Sequence, residues 1–189
     1  MTKETEKKEA VMLNSGGIDS RVTAKMMKDQ GYILHSIYIH ANKKKEQNKK
    51  AAERTAKLYC QDHIMYEYPV DWFKIKDAKK KWRGVPYNAL MSHVIGAQYT
   101  SFLGLDTLFT GLKAEGREIN YSKKITELLA CALQTAPVTV ESPLYDKNDK
   151  EVIGIAKEQK IPLDDTYSCF VYPPCGKCAA CIKRKKYGI

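Results

Sequence analysis

Two groups of residues in this chain have types and spacings suited to chemistry. The first is Ser15-Gly16-Gly17-Ile18-Asp19-Ser20. Its two glycines let the backbone turn sharply and let a ligand approach the N–H groups with no Cβ in the way. A helix starting at Asp19 or Ser20 would present first-turn N–H groups that have no partner inside the helix. Their partial positive charge and donor geometry suit a phosphate. The Ser15 and Ser20 hydroxyls add donors, and Asp19 beside a polyphosphate is the ligand type that a hard cation such as Mg²⁺ takes. A plainer alternative is a turn followed by a Ser/Asp helix cap. Neither G-x-x-x-x-G-K-[ST] nor G-x-G-x-x-G occurs in this region, which removes two familiar phosphate loops.

The second group is Cys169, Cys175, Cys178 and Cys181, spaced C-x5-C-x2-C-x2-C. Four thiolates satisfy one tetrahedral Zn²⁺ completely and leave no position for water, so such a site is structural. Gly176 permits a tight turn between ligands, and Pro173-Pro174 stiffens the approach. Iron–sulfur clusters also use C-x2-C-x2-C, although a ferredoxin-type run adds a later Cys followed by Pro that this chain lacks. A disulfide pair is the third alternative. It fits poorly with the charged stretch Met1 to Glu9, which is not signal-like. The two other cysteines, Cys60 and Cys131, fall in apolar helical patterns and read as buried small hydrophobes.

The elements that must position these groups alternate between strand and helix. Ala10 to Leu13 is a short apolar strand ahead of the loop, and Arg21 to Asp29 is helical, with Val22, Met26 and Met27 on one side. Gly31 stops that helix and Tyr32 to Ile39 is a second strand. Ala41 to Lys50 is basic and aperiodic, which predicts a loop; Ala51 to Tyr59 is helical and His63 to Val70 is a third strand. Asp71 to Arg83, with Trp72, Phe73 and Trp82, is either a lid or an excursion whose aromatics pack on the sheet. A helix over Asn88 to Leu103 ends at Gly104. A strand over Thr107 to Thr110 then runs into a loop from Gly111 to Gly116. Helix Ser122 to Gln134, strand Val138 to Glu141 and helix Lys150 to Gln159 complete the alternation. This is an α/β chain with a three-layer, mostly parallel, Rossmann-like sheet. In such sheets ligands bind beyond the carboxyl ends of the strands, so the loop carrying Gly111 and Lys113 is expected to face the first loop. Lys113 would neutralise charge at a phosphoryl group there, or else is an ordinary exposed loop lysine.

The 189 residues suit one domain with a small appendage, divided here as 1–165 for the nucleotide-binding domain and 166–189 for the cysteine-bearing tail packed on it. Lysines and arginines number 32 against 22 aspartates and glutamates, a formal charge of +10 that favours anionic partners. The basic runs Lys43 to Lys50, Lys79 to Arg83 and Lys183 to Lys186 suit a polyphosphate or nucleic acid, but solvated surface is the commoner reason for such runs. Nucleic acid is not favoured, because no aromatic-rich RNA motif accompanies the charge. No apolar stretch is long enough to cross a bilayer, and the expectation is a cytoplasmic protein without a membrane partner.

In its setting between strand and helix, S-G-G-x-D-S resembles the PP-loop of the ATP pyrophosphatases, which cut ATP between the α and β phosphates and activate an oxygen as an adenylate. Together with the ending C-G-K-C-A-A-C, Thr110-Gly111, Glu141-Ser142-Pro143-Leu144 and the Thr166 to Cys169 entry to the cysteines, most of the chain resembles the 7-cyano-7-deazaguanine synthase (QueC-like) family. The resemblance implies a PP-loop/HUP-type sheet with a zinc-binding appendage. It implies an ATP-dependent carbon–nitrogen ligase that turns 7-carboxy-7-deazaguanine into the nitrile through an amide, using ammonia and two molecules of ATP. ATP, Mg²⁺ and one structural Zn²⁺ are then the cofactors, and a homodimer is compatible with the family. Candidate catalytic residues are Ser15, Asp19, Ser20 and Lys113. Candidate nucleotide-binding residues are Asn14, Ser15, Gly16, Gly17, Ile18, Asp19, Ser20 and Gly111, and the metal ligands are Cys169, Cys175, Cys178 and Cys181. Three stretches depart from the family, one of them the turn Pro86-Tyr87-Asn88 before the long helix, where members carry Gly-Arg-Asn and only Asn88 is kept. Tyr38 to Asn42 stands where members carry Asp-Tyr-Gly-Gln, and Arg117 to Ser122 stands where they carry Gly-Tyr-Pro-Asp-Cys-Arg facing the deazapurine. Other readings are a PP-loop tRNA-modifying enzyme, a ligase using another acid or amine, and a protein that binds ATP without turnover.

Overall fold

A computed structural model describes residues 8–40, 46–67, 88–113, 121–133, 138–169 and 171–189. The strands are β1 (Glu9–Leu13), β2 (Ile33–His40), β3 (Asp62–Glu67), β4 (Thr107–Phe109) and β5 (Thr139–Glu141). The helices are α1 (Ile18–Asp29), α2 (Glu46–Tyr59), α3 (Asn88–Phe102), α4 (Tyr121–Leu133), α5 (Asp149–Glu158) and α6 (Ala179–Tyr187). All strand pairings are parallel, in the order β3-β2-β1-β4-β5.

Side chains alternate across a strand, so each strand feeds two apolar layers. Ala10, Met12, Leu34 and Phe109 pack against Ala24 and Met27 of α1. Val11, Ile37, Leu108 and Val140 face the other way, onto Ile95 and Ala97 of α3 and Leu129 of α4. A further cluster joins α1 to α5 through Ile18, Val22, Val152, Ile153 and Ala156, with Leu144 between them. These layers form the three-layer sheet domain that the alternation implied. No helix among the described residues is long and apolar enough to cross a membrane.

Several boundaries differ from the sequence reading. Helix α1 begins at Ile18, one residue before the expected start. Helix α2 begins at Glu46, inside the basic segment read as loop; its first turns are charged, and only Ala51, Ala52, Thr55 and Ala56 are buried, so the periodicity starts late. Helix α6 covers a run read only as basic charge. Cys131 is exposed on α4 and not a core residue, while Cys60 is half-buried, with its Sγ 3.7 Å from the Met12 sulfur. The Asp71 to Arg83 excursion and the divergent Arg117 to Asn120 stretch lie outside the described residues.

Candidate nucleotide site and cysteine knot

In the order β3-β2-β1-β4-β5, the chain leaves β1 toward β2 on one side and returns on the other as β4. The crevice at their carboxyl ends is therefore the switch point where open α/β sheets bind ligands. A cavity of about 240 Å³ lies there, lined by Asn14, Ser15, Asp19, Ser20, Thr110 and Gly111 together with Ser92 and His93 of α3. The loop after β1 and the loop after β4 meet at this cavity, as expected. A Cβ on Gly111 would fall 3.0 Å from the Asp19 carbonyl carbon and the Ser20 nitrogen. Only glycine lets the two loops approach this closely.

Asn14 organises the first loop from beneath. Its amide donates to Ser36 Oγ at 3.0 Å and to the Ala52 carbonyl at 2.9 Å, and its carbonyl oxygen accepts the Gly16 N–H at 3.1 Å. The loop is thereby tied to β2 and α2 by a residue only 2 % exposed. Gly16 has φ +74 and abuts the Asn48 carbonyl, and a Cβ there would lie 2.8 Å from Ala52 N. Ser20 Oγ donates to the Gly17 carbonyl at 3.0 Å and lies 3.3 Å from Ser15 Oγ. The cap of α1 is Gly17, without a side-chain cap bond, so the plain Ser/Asp-cap alternative does not hold. The donors of the first turn consequently face the crevice with no side-chain acceptor from the cap residue. Ile18 points its side chain into the core and can contribute only backbone to a ligand.

Lys113 is not an exposed loop lysine. Its side chain is 4 % exposed and pairs with Asp149, with Asp19 Oδ2 at 3.6 Å. Lys183 of α6 completes the group, 3.0 Å from Asp19 Oδ1 and 2.7 Å from Asp149 Oδ1. Burial works against the Asp149 charge, but hydrogen bonds from Lys113 and Lys183 outweigh it and hold the carboxyl below its ordinary range. Burial likewise opposes the Lys183 charge, and Asp19 and Asp149 overcome it, so its pKa is raised. Sequence reasoning missed Asp149 and Lys183. Asp149 opens α5 behind a capping box made by Asn148 and Glu151, a pattern that accounts for its position without any ligand.

The four tail cysteines come together as their spacing implied, with all Sγ atoms within 4.8 Å of one another. Cys175 and Cys181 sulfurs are 4.0 Å apart, and Cys178 and Cys169 sulfurs 3.9 Å. A tetrahedron with metal–sulfur bonds of ~2.3 Å has sulfurs about 3.8 Å apart, so the cage matches one ion. Backbone N–H groups of Lys177 and Cys178 pull the Cys175 thiol down to about 6, whereas burial and the neighbouring thiols push Cys181 up to about 12, so the four share charge as one cage.

The knot is also stitched to the phosphate loop. Tyr167 N–H donates to the Gly16 carbonyl at 2.8 Å, and Asn48 donates to the Tyr167 carbonyl at 3.1 Å. A Cβ on Gly17 would stand 2.8 Å from Ser168 Oγ. Arg184 of α6 donates to Thr166 Oγ1 at 2.7 Å and to the Leu163 and Asp164 carbonyls. Fully buried Arg21 reaches from α1 to Thr55 at 2.9 Å, to the Pro162 carbonyl at 2.8 Å and to Asp165. No sequence signal marked Arg21, because arginine is almost never fully buried unless paired.

Sheet order, switch-point crevice and glycine loop define a PP-loop nucleotide-binding α/β protein of the HUP type. In keeping with this, residues 8–92 match the tRNA methyl transferase HUP domain model. Residues 66–187, well over half of the chain, match the family model described as "Queuosine biosynthesis protein QueC", and the chain belongs to that family. A 7-cyano-7-deazaguanine synthase of Prochlorococcus marinus is 26% identical over 202 residues, covering 92% of this chain and 90% of the relative. One from Methanocaldococcus jannaschii is 25% identical, covering 94% and 93%. Among solved structures, the U34-tRNA thiolase NcsA from Methanococcus maripaludis with its [4Fe-4S] cluster superposes with a TM-score of 0.60 at 16% identity, over 95% of this chain and 63% of the thiolase. The NH3-dependent NAD synthetase from Campylobacter jejuni gives 0.58 at 16% identity, over 86% and 68%. Both structural likenesses are of fold.

Proposed function

We propose that this chain converts 7-carboxy-7-deazaguanine to 7-cyano-7-deazaguanine in the cytoplasm, as an ATP-dependent carbon–nitrogen ligase releasing AMP and pyrophosphate. The observation that carries this reading is the glycine loop at the switch point in a chain whose relatives along nine-tenths of its length are 7-cyano-7-deazaguanine synthases. A carboxylate is a poor electrophile. Attack of its oxygen on the ATP α-phosphorus makes an acyl adenylate and expels pyrophosphate. Ammonia then displaces AMP to give the amide, and adenylation of the amide oxygen by a second ATP, followed by loss of AMP and a proton, gives the nitrile.

The chain's own residues act chiefly by holding charge. Backbone donors of the first turn of α1, with the Ser15 and Ser20 hydroxyls, cradle the departing pyrophosphate, while Gly16 and Gly17, whose N–H groups are held by Asn14 Oδ1 and Ser15 Oγ, shape the loop around it. Lys113 stands beside them as a buried cation. Asp19 is the residue that would hold Mg²⁺ with the polyphosphate. The four cysteines would hold a structural metal that fixes the tail 166–189 against the domain. Zinc is favoured because the cage has single-ion dimensions, whereas each thiolate of a four-iron cluster reaches a different iron.

The test is pyrophosphate release from ATP and Mg²⁺ with 7-carboxy-7-deazaguanine and ammonium, with the product identified by mass spectrometry and metal content measured on the same preparation. Nitrile formation that is lost in Ser15→Ala and Asp19→Ala supports the reading. Release only with tRNA, or with another acid or amine, keeps the adenylation chemistry and moves the substrate. ATP binding without any release would leave a nucleotide-binding protein.

A further inference from the structure

The Lys183 ammonium lies on α6, the helix that carries the last knot cysteine, Cys181, and not on the sheet domain that builds the phosphate loop. Both flanks of the knot nevertheless end on that loop. On the entering side, Tyr167 donates to Gly16 and Ser168 packs on Gly17. On the leaving side, Lys183 reaches Asp19 and Asp149 with its side chain 13 % exposed. Helix α6 is short, and three positions within four residues divide its tasks. Cys181 enters the thiol cage, Lys183 turns about 200° away from it toward the loop, and Arg184 grips the 163–166 segment.

Resting on the nucleotide reading above, we propose that Lys183 binds the polyphosphate and that the cysteine knot delivers it, so that metal in the knot sets the affinity for nucleotide. Asp19, Lys113, Asp149 and Lys183 form a neutral quartet of two ammoniums and two carboxylates. A polyphosphate with its divalent cation carries the same two kinds of charge. Its arrival exchanges partners: the lysines turn to phosphate oxygens, and Asp19 is freed for the cation. The desolvation of the two lysines has then already been met by folding, which favours a tight phosphate contact. Without metal the loop between Cys169 and Cys181 has no closed cage; Arg184 and the packing of Tyr187 and Ile189 still hold the carboxyl half of α6, but its amino end loses the Cys181 tether and Lys183 loses its fixed aim at the site. By linkage, nucleotide must in turn tighten metal binding.

The experiment is calorimetric binding of Mg²⁺ with α,β-methylene-ATP, which cannot be cleaved at the reacting bond, to metal-loaded and chelator-stripped chain. Wild type, Lys183→Ala, Lys183→Arg and Asp149→Asn are compared, with thermal melts to confirm folding. The expected result is a loss of affinity of about tenfold or more in Lys183→Ala, with Lys183→Arg within about threefold of wild type. Stripping the metal weakens wild type by a similar factor and weakens Lys183→Ala little further, the non-additivity of a shared route. Asp149→Asn keeps or raises affinity, because it releases the lysines. If the quartet is only a latch for α6, Asp149→Asn weakens binding as much as Lys183→Ala does, and the proposal falls. It also falls if Lys183→Ala binds like wild type, or if stripping weakens both chains equally. Wild type that binds no analogue would overturn the nucleotide reading itself, an outcome distinct from these.

Discussion

Gly16 and Gly176 share a left-handed backbone, with φ +74 and +70, but their surroundings differ completely. Gly16 lies against the backbone of α2, whereas a Cβ on Gly176 would meet nothing within 4 Å. The phosphate loop is prebuilt: Asn14 ties it to β2 and α2, and buried glycines fill space that no other residue fits. The knot is open. Val171 and Tyr172 are among the exposed large hydrophobics, although Cys169 and Cys181 are buried. One region gets its geometry from the core, whereas the other relies on the Tyr167 and Arg184 hydrogen bonds and, in the function proposed above, on a bound ion.

The largest effect that would break this contrast is expected at Arg21, which joins the loop's helix to the segment leading into the knot. Arg21→Ala leaves the exposed Asp165 to Arg54 and water but strips partners from Thr55 and the Pro162 carbonyl and opens a buried volume. A loss of about 3–5 kcal/mol in urea unfolding is expected, with α6 released along with it. If the loss is below ~1 kcal/mol, the two regions are not joined through this residue.

The glycine pair sharpens the comparison. Gly16→Ala combines a strained φ with a clash against α2, so roughly 2–3 kcal/mol and most pyrophosphate release should be lost. Gly176→Ala carries the strain alone, about 1 kcal/mol, and Gly176→Asn less. Equal effects at the two positions would mean that crowding does not define the phosphate loop.

The smallest effect lies far from both regions and serves as a control. At the amino ends of the strands, buried His35 lies 2.7 Å from Asp62 Oδ2 and 3.1 Å from Glu9 Oε2. Burial lowers its pKa, but the two carboxylates outweigh burial and raise it above 6.5. A raised folded pKa means stabilisation that is full below pH 6.5 and fades as pH climbs through the folded value. The unfolding free energy of wild type should therefore decline slightly on that rise relative to His35→Gln, by no more than about 1 kcal/mol since both partners are substantially exposed. Nucleotide affinity and metal content should not follow the same curve.

Much of this architecture was legible in the chain. The β/α alternation, the glycine loop and the cysteine spacing are local patterns, and local patterns survive without tertiary context. The misreadings have physical reasons. The start of α2 was hidden because its first turns are solvated. Cys131 sits on an apolar-looking helix yet faces outward, because the apolar stripe of α4 is met by the sheet elsewhere, at Leu129. The basic run from Lys183 to Lys186 looked like one solvated face, but a helix sends successive residues in different directions.

The sequence by itself determined the parallel α/β fold, the position of the candidate anion-binding loop and the identity of the four clustered thiols, since each depends on spacing within one stretch. Only the tertiary structure decided that Asp19, Lys113, Asp149 and Lys183 meet. Those four residues span 164 positions and come from the first turn of α1, the loop after β4 and the helices α5 and α6. Charge pairing between such distant elements carries no periodicity, and it exists only once the sheet order and the knot have brought their ends to the same crevice.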